Sequence, residues 1–515
     1  MLYLLISAPI FAAILTCFAS GKDSDASFRL GLVLSLVIAA LGVPLVTGPD
    51  LQVSIPWFTL WGTGAQVHLS LASDGLSGWL IQLVTWLTPI AILGSRRQAG
   101  SRMREFVVSV FAMEALMIGA LLARDLVVFF VCYEGMLIPM VVIIAVFGGI
   151  ERRTAAMWFF LYTMLGSIFM LVGIWFIAWK MQTTELAAIT AGIAAAFEDS
   201  PRTMTLLFWS FVLAFAVKVP LVPLHGWQSR TYAETPGAGV VLLAGAMAKI
   251  GIYGFLRFVL PIFPEQSAHW ADLFIVLGLI GTVGGALVAI AQDDAKRMLA
   301  YSSMSHLGLV MVGIFSFAPE ALNGAAVQMV AHGFSVAALF LLVGYVESRA
   351  QTVGLDDFGA LADRTPILAV LFVMAALASA ALPGTLNFVG EFELLLGIFN
   401  GSGFWVAAIA GLSVILGVVY LLILIQRWFY GKGHGASNRD AMTDLGSAEA
   451  IAVIALLIAS FFFGFYPKPI SDRAGRVAER LGAPAATKAG RPDAVASDAA
   501  ARVPAVSVAT PAPRP

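Results

Sequence analysis

Charge is scarce in this chain: only 12% of its 515 residues are Asp, Glu, Lys or Arg, and 30 basic residues nearly balance 31 acidic ones. That gives no reason to propose nucleic acid as a partner, which needs clustered Lys and Arg. Cysteine is scarcer still. Cys17 and Cys132 are the only two, both in apolar surroundings, so a disulfide framework or an iron–sulfur cluster held by this chain alone is excluded. What fills the sequence is apolar: 60% hydrophobic residues and a mean hydropathy of +0.90. That exceeds what a soluble core needs and marks an all-α polytopic membrane protein. The opening segment, Met1 to Ser20, lacks a basic n-region and reads as a retained first helix.

With about twenty apolar residues per crossing, the chain yields about fourteen transmembrane helices. Residues 1–105 hold the first three and 106–262 the next five. Residues 270–430 hold five more, and 431–469 a loop and the last. Thr184 to Phe197 is short and Ala-rich, better suited to a surface helix than a crossing. From 470 to 515 the composition turns to Ala, Pro and Arg without periodicity, which reads as a disordered tail. Loop charges set the orientation: about sixteen Lys and Arg fall in odd-numbered connections and about four in even ones, placing both termini on the non-cytoplasmic side.

Two crossings are interrupted. In Phe215 to His225 the prolines at 220 and 223 remove backbone donors beside Lys218, and in Leu382 to Glu391 a Pro383-Gly384 pair does the same. Breaks five crossings apart point to two inverted five-helix repeats, each containing a broken helix, with ion sites at the interruptions. No strong repeat of primary sequence accompanies them, and a Pro kink alone is common in membrane helices.

Six ionisable side chains sit deep in these apolar stretches: Glu134, Lys218, Lys249, His306, His332 and Glu391. A charge there costs several kcal/mol, so such residues mark proton or ion paths. Glu134 lies about 13 Å into its helix at 1.5 Å per residue, near the midplane of a core about 30 Å thick. It is the natural partner for Lys218. Pairing keeps both groups charged and separation favours their neutral forms, which makes a proton switch. Histidine suits a relay because both of its protonation states are reachable. Glu114 is a further deep acid. Glu391 and Glu393 lie about 200° apart around a helix and cannot face one path. Asp125, Asp293, Asp294, Lys296 and Arg297 fall near helix ends and read as caps or anchors.

From about Phe106 to Pro469 the chain resembles the antiporter-like membrane subunits of respiratory complex I, and specifically subunit M of NADH-quinone oxidoreductase. The resemblance rests on Tyr133-Glu134-Gly135-Met136-Leu137-Ile138-Pro139-Met140, on Phe160 to Ser167, on the Lys218 segment through His225, and on Gln292 to Arg297 leading into Ala300 to His306. Glu391 is the most specific sign, because the related subunits L and N usually carry lysine there. The resemblance implies that Glu134, Lys218, Lys249, His306, His332 and Glu391 form a proton-translocating axis, with Glu114, His225 and Glu234 as auxiliary candidates. It also implies a non-redox translocase subunit of a bacterial inner membrane. FMN, iron–sulfur clusters and quinone would belong to partner subunits, and two further antiporter-like subunits would be neighbours.

The loop Gly226 to Gly237 departs from the family pattern, lacking its proline, aspartate and second histidine. The chain is thus a divergent member. Two other readings stand beside this one: a cation/proton antiporter or energy-converting hydrogenase subunit, and a passive scaffold. The pumped ion is H+ or Na+, and the lack of a clear hydroxyl-and-carboxylate cage favours H+.

Overall fold

The computed structural model describes residues 1–19, 23–431 and 442–490. Its helices are α1 (Leu2–Ala19), α2 (Ser24–Thr47), α3 (Gly75–Gly94), α4 (Arg96–Leu122), α5 (Leu126–Phe147), α6 (Arg152–Met181), α7 (Leu186–Ala196), α8 (Pro201–Lys218) and α9 (Gln228–Glu234). Then follow α10 (Gly237–Ile262), α11 (Ala271–Ile290), α12 (Ala295–Ser316), α13 (Pro319–Ala350), α14 (Pro366–Ser379), α15 (Leu386–Ser402), α16 (Phe404–Tyr430), α17 (Ser447–Phe465) and α18 (Arg476–Lys488). Among the described residues eleven helices are long and apolar enough to cross a membrane. The remaining stretches expected to cross are the shorter α1 and α8 and the interrupted pair α14 and α15. The spanning stretches of α10 and α13 are buried throughout, while α6 and α16 expose most of theirs. Lys249 and His332 therefore lie on central helices, and the lipid-facing apolar surface is carried by the periphery.

Aspartates start several helices. The Asp74 carboxylate accepts from Ser77 N at 3.0 Å, Asp125 from Val127 N at 2.8 Å and Asp294 from Arg297 N at 2.8 Å, satisfying first-turn donors that a helix leaves open. The starts of α5 and α12 share a second feature. Leu126 N donates to Thr184 O and Leu186 N to Arg124 O; Ala295 N donates to Val353 O and Leu355 N to Asp293 O in the same way. In both cases the partner segment follows a long helix, α6 or α13, that ends on a glutamine with positive φ, Gln182 at 55° and Gln351 at 58°. The two breaks also match. α8 closes with Val219 N to Phe215 O and Leu221 N to Ala216 O, and α14 closes with Ala380 N to Ala376 O and Leu382 N to Leu377 O.

Two elements differ from the sequence reading. Between α2 and α3 runs an antiparallel hairpin, β1 (Leu51–Thr59) and β2 (Gln66–Ser73), paired from Leu51↔Ser73 to Thr59↔Gln66 with a bulge between Pro56 and Phe58. The other is the expected tail from 470. It is helical as far as Lys488 and packs on the hairpin side of the bundle: Trp79 Nε1 donates to Pro469 O, Asn323 Nδ2 to Ser471 Oγ and Arg473 Nη2 to Gly48 O. Its buried face is Val477, Ala478, Gly482, Ala485 and Ala486. Residues this small carry little hydropathy, which is why the stripe was invisible in composition. The rest of that tail, from 491, lies outside the described residues, as do residues 432–441 of the loop before α17.

Candidate functional site

α10 departs from regular helix at a π-helical stretch, Leu243–Met247, a local distortion that recurs at functional sites. The Ala244 carbonyl there accepts from Lys249 Nζ at 2.5 Å, and the same ammonium meets His332 Nδ1 on α13 at 2.8 Å. The His332 and His306 rings lie 5.3 Å apart between centroids. His306 Nδ1 on α12 then stands 2.9 Å from Glu391 Oε1 on α15. Four of the six expected residues thus line up across four helices as two polar pairs joined by a ring contact. Lys249, His332 and Glu391 are each at most 4% exposed. Lys249–His332 and His306–Glu391 are within hydrogen-bonding distance, with the proton on each ring set by its tautomer. The two rings meet by ring contact, and His306 Nε2 has no hydrogen-bond partner among the described residues.

Close helix approach holds the Glu391 end. A Cβ on Gly390 would meet Gln328 Oε1 at 2.5 Å, and one on Gly397 would meet Ala321 N at 2.1 Å. α13 and α15 are therefore in backbone contact, and Gln328 Nε2 reaches Glu391 Oε1 at 3.2 Å. Gln328 was missed in sequence. It lies four residues before His332, on the same helix face, which was the available signal. Behind the row, Asn387 Nδ2 donates to Ser335 Oγ and the Ser302 and Tyr420 hydroxyls share a hydrogen bond of 2.7 Å.

The other two residues meet differently from expectation. Lys218, the last residue of α8, donates to the Tyr133 carbonyl at 3.3 Å and places Nζ 3.6 Å from the centre of the Tyr133 ring. No direct ion pair joins it to Glu134 among the described residues, and Glu134 Oε1 has no hydrogen-bond partner from the chain. The physical reason is that a backbone carbonyl and an aromatic face beside the helix break already satisfy the ammonium. The half-buried Glu134 lies part-way along α5, next to Tyr133. The break itself is mended by Trp227, whose Nε1 donates to Val217 O at 2.9 Å. Lys218 and the row are neighbours across a helix contact, since a Cβ on Gly251, two residues past Lys249, would meet Lys218 Cβ at 3.2 Å.

The auxiliary candidates scatter. Glu114 is fully buried in α4 with both carboxyl oxygens unpartnered, and Thr88 of α3 is the hydroxyl facing it. His225 is half-buried beside the break with Nδ1 unpartnered. Glu234 lies at the opposite side of the bundle from the hairpin. It accepts from Glu151 N at 2.9 Å, and burial raises its carboxyl above the ordinary value against the pull of that bond and of Lys296. Nearby, buried Lys296 pairs with Glu347 at 2.6 Å and donates to Ala233 O and Thr235 O. Among the described residues no three His, Cys, Asp or Glu side chains converge as a metal-ligand set.

The chain and its fold have counterparts in known proteins. Residues 123–417 match the family described as NADH:quinone oxidoreductase/Mrp antiporter, TM. NADH-quinone oxidoreductase subunit M of Rickettsia felis is 38% identical over 79% of this chain and 81% of its own length, and that of Pseudomonas aeruginosa is 37% identical over 90% and 93%. A chain of respiratory complex I from Thermus thermophilus, solved with bound NADH, superposes with a TM-score of 0.81 at 30% identity, covering 94% of this chain and all of that one. A chain of the Mrp complex from Dietzia shares the fold, with a TM-score of 0.82 at 22% identity. The chain belongs to the NADH:quinone oxidoreductase/Mrp antiporter transmembrane family, on the branch of complex I subunit M.

Proposed function

We propose that this membrane subunit moves protons along Lys249, His332, His306 and Glu391, supplied from the Lys218 and Glu134 end. Quinone reduction in other subunits of the complex drives the transfer. The observation that carries this is the alignment of two polar pairs, Lys249 with His332 and His306 with Glu391, whose histidine rings stand 5.3 Å apart. Its members all bind and release protons, and each transfer restores the acceptor for the next. The chain's own part is then to hold and pass charge. FMN, iron–sulfur clusters and quinone are assigned to partner subunits, and two further antiporter-like subunits to its flanks.

We read the fourteen stretches as spans and the two groups of five, 106–262 and 270–430, as inverted repeats. The matched hydrogen bonds at Leu126 and Ala295, and at Leu221 and Leu382, support this. An odd number of spans per repeat turns the second upside down. The loop charges favour the cytoplasm for the face bearing Glu234 and Lys296, in a bacterial inner membrane. The hairpin and both described chain ends then face outward. The relatives named as subunit M favour this reading over a stand-alone antiporter, because the Mrp likeness is one of fold.

The test is Lys249→Ala in the assembled complex in inverted membrane vesicles. NADH oxidation with an uncoupler persists, and proton uptake per electron falls. Wild-type uptake per electron in sodium-free buffer would remove the row from the pumping path.

A further inference from the structure

Lys249 has a second polar neighbourhood, along its own helix. Tyr253 and Arg257 follow it at four and eight residues on α10 and share its face, so the stripe runs about 12 Å from the row toward the hairpin side at 1.5 Å per residue. It ends in a buried ion cluster. Arg257 Nη2 and Arg124 Nη2 both bind the same oxygen of Asp74, Oδ2, at 2.5 and 3.0 Å, and the Arg257, Arg124 and Asp74 side chains are 7%, 13% and 16% exposed. The other oxygen of Asp74 caps α3 through Ser77. Arg124 Nη1 and Arg257 Nε also donate to the Tyr253 hydroxyl, at 3.0 and 3.1 Å, and that hydroxyl donates its own proton to Leu121 O at 2.8 Å. Two guanidiniums and one carboxylate leave the cluster one positive charge in excess.

We infer that the Arg124, Asp74 and Arg257 cluster is a cationic seal that closes the hairpin-side end of α10 to the proton carried by Lys249. The chemistry supports a seal over a wire. A guanidinium does not deprotonate in a protein, so it cannot receive a proton and pass on its own. The single hydroxyl between Lys249 and the cluster is locked, with its proton on a backbone carbonyl and its oxygen taken by two cations. One excess charge acting across about 12 Å, the helical rise from Lys249 to Arg257, at an effective dielectric of about 20 disfavours a proton by about tenfold, and more strongly the nearer the proton comes to the cluster. Sealed on this side, Lys249 has His332 as its outlet, which gives the row a direction. Asp74 keeps the two guanidiniums together: burial alone would raise its carboxyl, but Arg257 and Arg124 outweigh that and hold it well below the usual carboxylate range.

The inference rests on the reading of Lys249 as a proton carrier, and the test separates the two. Complex carrying Arg257→Met is reconstituted into liposomes, turnover is blocked with a quinone-site inhibitor, and passive proton flux under an imposed pH gradient is followed with an entrapped dye. The expected result is a leak raised about tenfold, with Arg257→Lys remaining at the wild-type rate because the charge is kept. Adding Lys249→Met abolishes the extra leak. If Arg257→Met does not assemble, Arg124→Gln removes the same net charge at the rim and is expected to leak alike. Wild-type flux in both charge-removing variants overturns the seal. A raised leak that survives Lys249→Met keeps the seal and overturns Lys249 as the carrier.

Discussion

Glu391→Gln removes one charge and almost no volume, and an amide in its place still reaches Gln328, so α13 and α15 remain packed. What disappears is the carboxylate 2.9 Å from His306 Nδ1. At that distance and an effective dielectric of about 20, one ion pair is worth about 6 kcal/mol. Half of it, about 3 kcal/mol, still exceeds the roughly 2.3 kcal/mol needed to move one charge against 100 mV. Protonated His306 loses that counter-charge, so passing a proton through it costs more. The row is cut at its third member. In inverted vesicles, NADH oxidation in the presence of an uncoupler should continue while protons taken up per electron fall. His306→Gln should produce the same deficit, and the double variant no more than either alone, because both remove one interaction. Unchanged stoichiometry in Glu391→Gln, or additive losses, would refute the reasoning.

Tyr133→Leu removes the ring that faces Lys218 Nζ at 3.6 Å, an interaction worth about 2 kcal/mol when desolvated. Pumping per electron should drop in that variant and persist in Tyr133→Phe, and equal pumping in the two would show that the ring is irrelevant. Asp74→Asn breaks a buried ion cluster and should destabilise the purified complex by about 3–5 kcal/mol. Because the folded carboxyl is depressed, its contribution is fully present above its ordinary value of 3.8 and fades only as pH falls through the lower folded value. The thermal penalty should thus be equal at pH 5 and pH 8, and a penalty that shrinks between them contradicts the assignment. Gly397→Ala forces a methyl against the Ala321 backbone, where a Cβ would sit 2.1 Å from the nitrogen. It should cost about 1–3 kcal/mol by parting α13 from α15. Gly411→Ala, with nothing within 4 Å, is the control, and equal melting temperatures for both would refute close approach as the cause.

Much of the path was legible because a membrane makes every polar residue conspicuous. Lys249, His306 and His332 were each the single ionisable residue deep in an apolar run, Glu391 had only Glu393 beside it, and the prolines at 220 and 223 and the Pro383-Gly384 pair announced the breaks. Gln328, Tyr133 and Ser302 did not stand out, since uncharged polar groups cost little enough in a membrane helix to pass as packing residues. Asp74, Arg124 and Arg257 give no joint signal in the sequence. Three segments far apart in sequence had to come together before they formed a cluster. The amphipathic face of α18 escaped for a different reason: Ala and Gly pack well and score weakly.

The sequence by itself determined the solvent of this protein, the length of its crossings, the points where helices had to break and the residues too costly to be there without use. Those are local consequences of the free energy of burying charge and of the missing backbone donor of proline. Tertiary structure alone decided the partners. It set the Tyr133 ring and carbonyl on Lys218 with Glu134 near enough for the two charges to act on each other, brought Lys249 and Glu391 together through two histidines on separate helices, and drew two arginines onto one aspartate. Contacts between helices depend on where glycines let backbones approach and which way each helix is rotated. Neither is written in the spacing of charges along the chain.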